Sequence, residues 1–181
     1  MNFTKQLALA ALIAIAAAPS HSVLAATTVA PATAAAAVTP AHLQATHDLL
    51  AAMQAEKMMR MTAGASRYPD DASRKAVMDK LIKVPAETIY QRLAAPLARL
   101  LSAEAALELT TMYRSPYGQR LLNDTYNSKA SMYAKVTETS KAERAELARP
   151  ALLKANKALS DAQEPLRHDM FVLLQQINRA K

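Results

Sequence analysis

The chain contains no cysteine and no tryptophan, and only two phenylalanines and two glycines in 181 residues. Without cysteine there is no disulfide, no thiolate metal site, no cysteine nucleophile and no lipid-modified N-terminal cysteine. Glycine falls far below its usual share of ~7%, so the tight turns that sandwiches and barrels need are missing. No run of like charge reaches five basic residues. Generic surface attraction is therefore favoured over a dedicated polyanion site, and no specific nucleic-acid partner is expected. After the first 25 residues no apolar run reaches the ~20 residues that cross a bilayer, so the chain does not read as an integral membrane protein.

What is present points to helix. Half of the residues are hydrophobic, alanine and leucine are prominent, and there are nine methionines. Apolar residues recur at helical spacing and no convincing strand is found. The expected class is all-α, a single domain of five to seven helices. The formal charge of +7 and a pI of about 9.7 describe a basic surface attracted to anionic lipid, glycan or nucleic acid in a generic way.

Residues 1–25, MNFTKQLALAALIAIAAAPSHSVLA, have the three parts of a secretory signal. Lys5 marks the basic end, Leu7 to Ala18 form an apolar stretch too short for a stable span, and Pro19 and Ser20 break it. Val23 and Ala25 are small residues at the spacing signal peptidase accepts. Residues 26–39, ATTVAPATAAAAVT, are low-complexity Ala/Thr/Pro and read as a flexible tether. The helical domain is expected over residues 40–181.

Within it, Thr39-Pro40 gives an N-cap and a first-turn proline for a helix running to about Thr62. Leu43, Leu50, Met53, Lys57 and Met61 share its face. A break is expected over Gly64 and SRYPDD, after which Asp70 or Asp71 caps a helix burying Val77, Met78, Leu81 and Ile82. Val84-Pro85 interrupts. The next stripe is Ile89, Leu93, Leu97 and Leu100, with Pro96 a kink or end. Ser102 opens a helix carrying Ala105, Leu109, Met112 and Tyr113. A further helix carries Leu122, Tyr126, Ala130, Tyr133 and Val136. Ser140 and Glu143 form a capping box. The remainder reads as helix interrupted near Pro150 and Pro165, with Leu147, Leu152, Leu153, Leu159, Leu166, Met170, Leu173, Leu174 and Ile177 as its apolar set. SAEAALELTTMYRSPYGQRLL and SKAERAELARPALLKANKAL echo each other; a duplicated helix–corner–helix unit and chance similarity of two Ala/Leu/Glu-rich helices both account for this.

The sharpest motif is MYRSPYGQRLL, residues 112–122. Ser115 can accept from a free N–H of the next turn, Pro116 has no N–H to leave unsatisfied, and Gly118 permits close backbone approach. Tyr113 and Tyr117 lie one turn apart and can pack together. Arg114 and Arg120 are expected to point outward or toward acidic neighbours such as Glu108 or Asp124. A phosphate loop needs several glycines after a strand, and a serine nucleophile needs an oriented base; neither is present. A structural corner is the favoured reading, with an anion held by Arg114 and Arg120 at the helix start as the functional alternative.

The segment LSAEAALELTTMYRSPYGQRLL resembles the signature of a family of secreted bacterial helical proteins, catalogued as the Domain of Unknown Function numbered two thousand and fifty-nine. That signature is an acidic Leu-Ser/Thr helix start followed by Phe-Tyr-x-Ser-Pro-x-Gly-x-Lys/Arg. The chain supplies Tyr113, Ser115, Pro116, Gly118 and Arg120 in order. Met112 stands where the family usually has phenylalanine, which keeps an apolar knob. The resemblance covers residues 85 to 140 and is specific at 102 to 122. It implies an exported, all-helical, periplasmic domain and no particular activity.

Other chemistry is thinly supplied. His42 and His47 are five apart and not on one helix face, and His168 is remote, so a histidine metal site lacks its ligand spacing. Met58 and Met61 share a face and could hold Cu(I), but methionines at helical spacing more often fill cores or line apolar contact surfaces. No cofactor is expected. The leading reading is a non-enzymatic binding protein whose partner is another protein or an anionic envelope component. The alternatives are an enzyme whose site assembles only in three dimensions, from Arg114, Arg120 or His168 with a carboxylate, or a methionine-based copper protein. The export signal generates a direct prediction. N-terminal sequencing of the processed protein should begin at Ala26; an unprocessed Met1 would reject the signal.

Overall fold

A computed structural model describes residues 38–127 and 137–179. The expected signal, most of the tether, and Ala130, Tyr133 and Val136 lie outside the described residues. Among those described there are eight α-helices and no strand, so the chain is all-α.

Side-chain caps fix most of the helix starts. Helix α1 (Pro40–Ala52) begins where Thr39 accepts from His42 N at 3.2 Å with Pro40 in the first turn. Helix α2 spans Ala55–Ala65. Helix α3 (Asp71–Lys83) starts where Asp70 accepts from Ser73 N at 2.7 Å, a bond that holds the Asp70 carboxyl below its ordinary range. Helix α4 covers Ala86–Ala98, after the Val84-Pro85 break. Ser102 caps α5 (Ala103–Arg114), and α6 (Pro116–Asn127) follows directly. Ser140 and Glu143 form both bonds of a capping box at α7 (Lys141–Leu147). Helix α8 (Pro150–Arg179) is 30 residues long.

The core lies where α1 packs on α4 and α5, and where α8 crosses α2, α3, α4 and α5. Helix α8 commits Leu152, Ala155, Leu159, Ala162, Leu166, Met170, Leu173 and Leu174 to one buried seam. Small residues alternate with leucine throughout; Ala45, Ala94, Ala106, Ala155 and Ala162 are buried beside Leu49, Leu93, Leu97 and Leu109. Alanine at such positions lets helix axes approach, and leucine then fills the space between. Thr46 is fully buried, and its hydroxyl lies 3.1 Å from Ala94 O, a polar contact between α1 and α4.

Several expectations are corrected. The helix expected to reach Thr62 breaks after Ala52, because Gln54 adopts a left-handed backbone with φ 55°. Leu49 and Leu50 before the break and Met59 and Ala63 after it are all buried. Tyr126 secures the break by donating to Met53 O at 2.7 Å. Gly64 does not break the chain; it lies within α2, and the break comes after it, between Ser66 and Asp70. Pro165 does not interrupt α8. It sits on the exposed side, where the carbonyl it deprives of a donor can turn to water. Ile82 is 60% exposed, Leu100 and Leu153 are also exposed, and Leu101 is buried instead of Leu100. Eight helices rather than five to seven follow from the Gln54 break and the short α7.

Gln54 concentrates two costs. Its backbone is in a region that disfavours residues with a Cβ, and its buried side-chain Oε1 finds no hydrogen-bond partner among the described residues. Gln54→Gly should therefore raise stability by about 1 kcal/mol. Gly64→Ala, where a Cβ meets nothing within 4 Å, should add about 0.5–1 kcal/mol. Urea unfolding midpoints check both; a fall in both would overturn this account of α2.

Candidate functional site

The Ser-Pro corner between α5 and α6 is built from backbone bonds. Ser115 N donates to Thr111 O and Met112 O at 3.1 Å each, closing α5. The Ser115 hydroxyl donates to Met112 O at 2.6 Å and accepts from Gly118 N at 3.1 Å, serving both helices at once. Gln119 completes the turn, with its N donating to Ser115 O at 2.9 Å and its side-chain Nε2 to Tyr113 O at 2.7 Å. Gly118 is buried against α5. A Cβ there would overlap Met112 O and lie 2.6 Å from Tyr113 Cα and 2.7 Å from Tyr113 O. Those are backbone atoms, so the clash could be relieved only by moving a helix.

Tyr113 is buried, and desolvation pushes its hydroxyl up to about 12. Tyr117 packs on the core, with the Arg120 guanidinium 5.9 Å from its ring centroid. Arg120 donates to Glu143 Oε1 at 2.7 Å, while Glu143 Oε2 accepts from Ser140 N at 2.8 Å. The Ser140 backbone and Arg120 hold the Glu143 carboxyl below its ordinary range. Arg120 thus ties α6 to the start of α7. A second bridge runs from α5 to the α7–α8 junction, where Arg149 donates to Glu108 Oε2 at 2.7 Å and, through Nε, to Glu146 Oε1 at 2.7 Å. This bond depresses the Glu108 carboxyl. The two echoing segments therefore share an arrangement, a serine-capped helix followed by a proline-started one, and are cross-linked by these two bridges.

Arg114 points outward and Arg120 reaches an acidic neighbour, as expected, but that neighbour is Glu143. Glu108 goes to Arg149, Asp124 accepts from Thr137 at 2.7 Å, and neither receives Arg114 or Arg120. Arg114 is exposed and makes no ion pair among the described residues. At the α6 start Pro116 has no N–H and the Gly118 N–H is taken by Ser115, which leaves little for an anion.

The remaining candidates are dispersed. Met59 fills the core, Met58 is half-buried against it, and Met61 is 44% exposed. His42 Nε2 donates to Leu101 O at 2.7 Å, and His47 Nε2 bonds Glu87 Oε1 at 2.9 Å, its ring edge-on to Tyr90. Tyr90 donates to Glu56 Oε2 at 2.5 Å, and burial raises its pKa. His168 is exposed. Among the described residues, no group of three or more metal-ligating side chains converges.

A concave feature lies elsewhere, where the α3–α4 break meets the last turns of α8. It is a cleft of about 400 Å³, within the ~300–1,000 Å³ usual for small-molecule sites. Val84, Ile89, Leu173 and Ile177 form its floor; Lys80, Lys83 and Arg92 stand on its rim, with Thr88 and Gln176 between. Among the described residues that line it none is acidic. Arg92 donates to Gln176 Oε1 at 3.1 Å, and Lys80 to Asn178 O at 2.6 Å. None of Arg114, Arg120, His168, Met58 or Met61 lines the cleft. Sequence reasoning missed it. The local signal was two lysines one turn apart ahead of Val84-Pro85, but the α8 wall lies almost ninety residues away in the chain.

Comparison with protein-family models, with curated proteins and with solved structures finds no match.

The corner geometry yields a contrast. Gly118→Ala should cost about 1–3 kcal/mol by overpacking, and Ser115→Ala about 0.5–2 kcal/mol as a lost cap. Thermal or urea unfolding measures both. A neutral Gly118→Ala would mean that the two helices do not approach this closely.

Proposed function

We propose that the chain is an exported periplasmic helical protein that acts by binding, not by catalysis, and that its contact site is the basic-rimmed cleft. The observation that carries this is the pairing, in one concavity, of Lys80, Lys83 and Arg92 with the apolar side chains of Val84 and Ile177. An anionic partner with an apolar portion is complementary to both. The generally basic surface adds long-range attraction to the anionic envelope. Export is supported by the signal-like features of residues 1–25, and periplasmic residence by the resemblance of residues 102–122 to the secreted helical family. Membership of that family is part of the same proposal and rests on that motif.

Among the described residues no helix is long and apolar enough to cross a membrane, so envelope contact in this reading is peripheral. An enzymatic reading would need titratable groups converging in a pocket. The cleft brings together cations, a threonine and a glutamine, side chains suited to binding and orienting a partner.

Co-sedimentation with vesicles tests the reading. The protein should bind phosphatidylglycerol vesicles, not phosphatidylcholine vesicles, and be released as salt approaches ~1 M, where the screening length falls to about 3 Å. Charge reversal at Lys83 and Arg92 should weaken binding more than reversal at Arg144 and Lys154. Equal binding to both vesicle types, or equal loss at both pairs, would overturn it.

A further inference from the structure

We infer that residues 137–147, the approach to α7 and α7 itself, form a strap that rising ionic strength releases from α6, uncovering Tyr117. This is independent of the cleft and of the binding reading above.

Burial sets α7 apart. Among the described helices it is the one that buries no residue. Its apolar contact with the core, half-buried Leu147, lies at the α8 end. Its seven residues fall short of the ~12–15 that sustain a helix alone in water. The capping box of Ser140 and Glu143 satisfies the first turn, but both partners belong to the strap. Attachment to the rest of the fold therefore falls to polar side chains.

The polar contacts with α6 gather at the far end. Arg120 donates to Glu143 Oε1 at 2.7 Å and to Glu138 O at 3.4 Å. Thr137 donates to Asp124 Oδ2 at 2.7 Å. The Arg120 and Glu143 side chains are 47% and 24% exposed, so salt reaches the pair. At ~1 M salt the screening length is about 3 Å, and exposed ion pairs of this kind shift an equilibrium only a few-fold even unscreened. The near end is firm. Arg149 holds Glu108 on α5 and Glu146 on α7, and Leu152, one turn on, is fully buried. Ala148 and Arg149, between α7 and α8, are thus the hinge.

Tyr117 is what the strap covers. It is half-buried, packs on the core and carries the Arg120 guanidinium 5.9 Å from its ring centroid. Burial raises its pKa and the Glu143 carboxylate adds to the rise, so the carboxylate that Arg120 holds also stands near the phenol. Loss of the bridge takes Glu143 away from that side.

Amide hydrogen exchange on the whole protein, read by mass spectrometry, tests the release. Between ~0.05 and ~1 M salt the amides of α7 should exchange progressively faster while those around Leu166 to Leu174 in α8 stay slow. Glu143→Gln keeps a residue that can close the capping box and removes only the charge. At low salt it and Arg120→Gln should each speed α7 exchange about two- to fivefold, and the double variant no further. Arg144→Gln, at an exposed cation of α7 outside the bridge, should leave exchange unchanged. The chain has no tryptophan, so Tyr117→Trp supplies a single indole whose quenching by acrylamide should rise with salt. Protection of α7 equal to that of α8 at ~1 M salt, single variants no different from Arg144→Gln, or additive effects in the double variant would each overturn the strap. Quenching that stays level with salt would overturn the uncovering of Tyr117. The salt series on the parent protein decides the release even if a variant fails to fold.

Discussion

The structure depends on one seam. Helix α8 buries Leu152, Ala155, Leu159, Ala162, Leu166, Met170, Leu173 and Leu174 against four other helices. It is the element that packs on α2, α3, α4 and α5 alike, and its burial is worth about 25 cal/mol per Å² of apolar surface removed from water. The spacing of three and four residues is what lets one face stay buried from Leu152 to Leu174. It also explains why Pro165 is tolerated. The lost backbone bond falls on the solvent side, and it is small beside the burial on the other.

Two consequences follow from the seam. At one end, the α7–α8 junction must be placed correctly for α8 to start in register. The bridges Arg149 to Glu108 and Arg120 to Glu143 do this from α5 and α6. Surface ion pairs of this sort add little stability; here they set position. At the other end, the seam runs out at Leu173 and Ile177 while α3 and α4 diverge at Val84-Pro85. The cleft lies at that divergence, between half-buried Val84 and Ile177. The corner at Ser115, Pro116 and Gly118 serves the same end. It lets α6 fold back against α5 at backbone contact, so a strong motif is spent on packing.

Much of the element order was legible in residue types. Thr39, Asp70, Ser102 and Ser140 each cap a helix because their side-chain oxygens satisfy a local N–H, and that bond needs no distant partner. The Ser115-Pro116 corner was legible for the same reason. The break at Gln54 was not. AAMQAEK contains no glycine or proline, and the left-handed turn is held by Tyr126, seventy-three residues on. Burial at the edges of stripes was also misread. Ile82 and Leu100 fit the helical period, but whether a neighbour covers them is decided by other helices.

By itself, then, the sequence determined the all-α class, most helix starts, the tight corner and the basic surface, because each follows from local backbone chemistry or from composition. Only the tertiary structure decided which cations share a cavity with which apolar side chains. Lys83 and Arg92 belong to neighbouring helices, but the Leu173 and Ile177 that complete their cleft arrive from the far end of the chain. Side-chain periodicity carries no information about that meeting; it is set by how α8 packs across the helices before it.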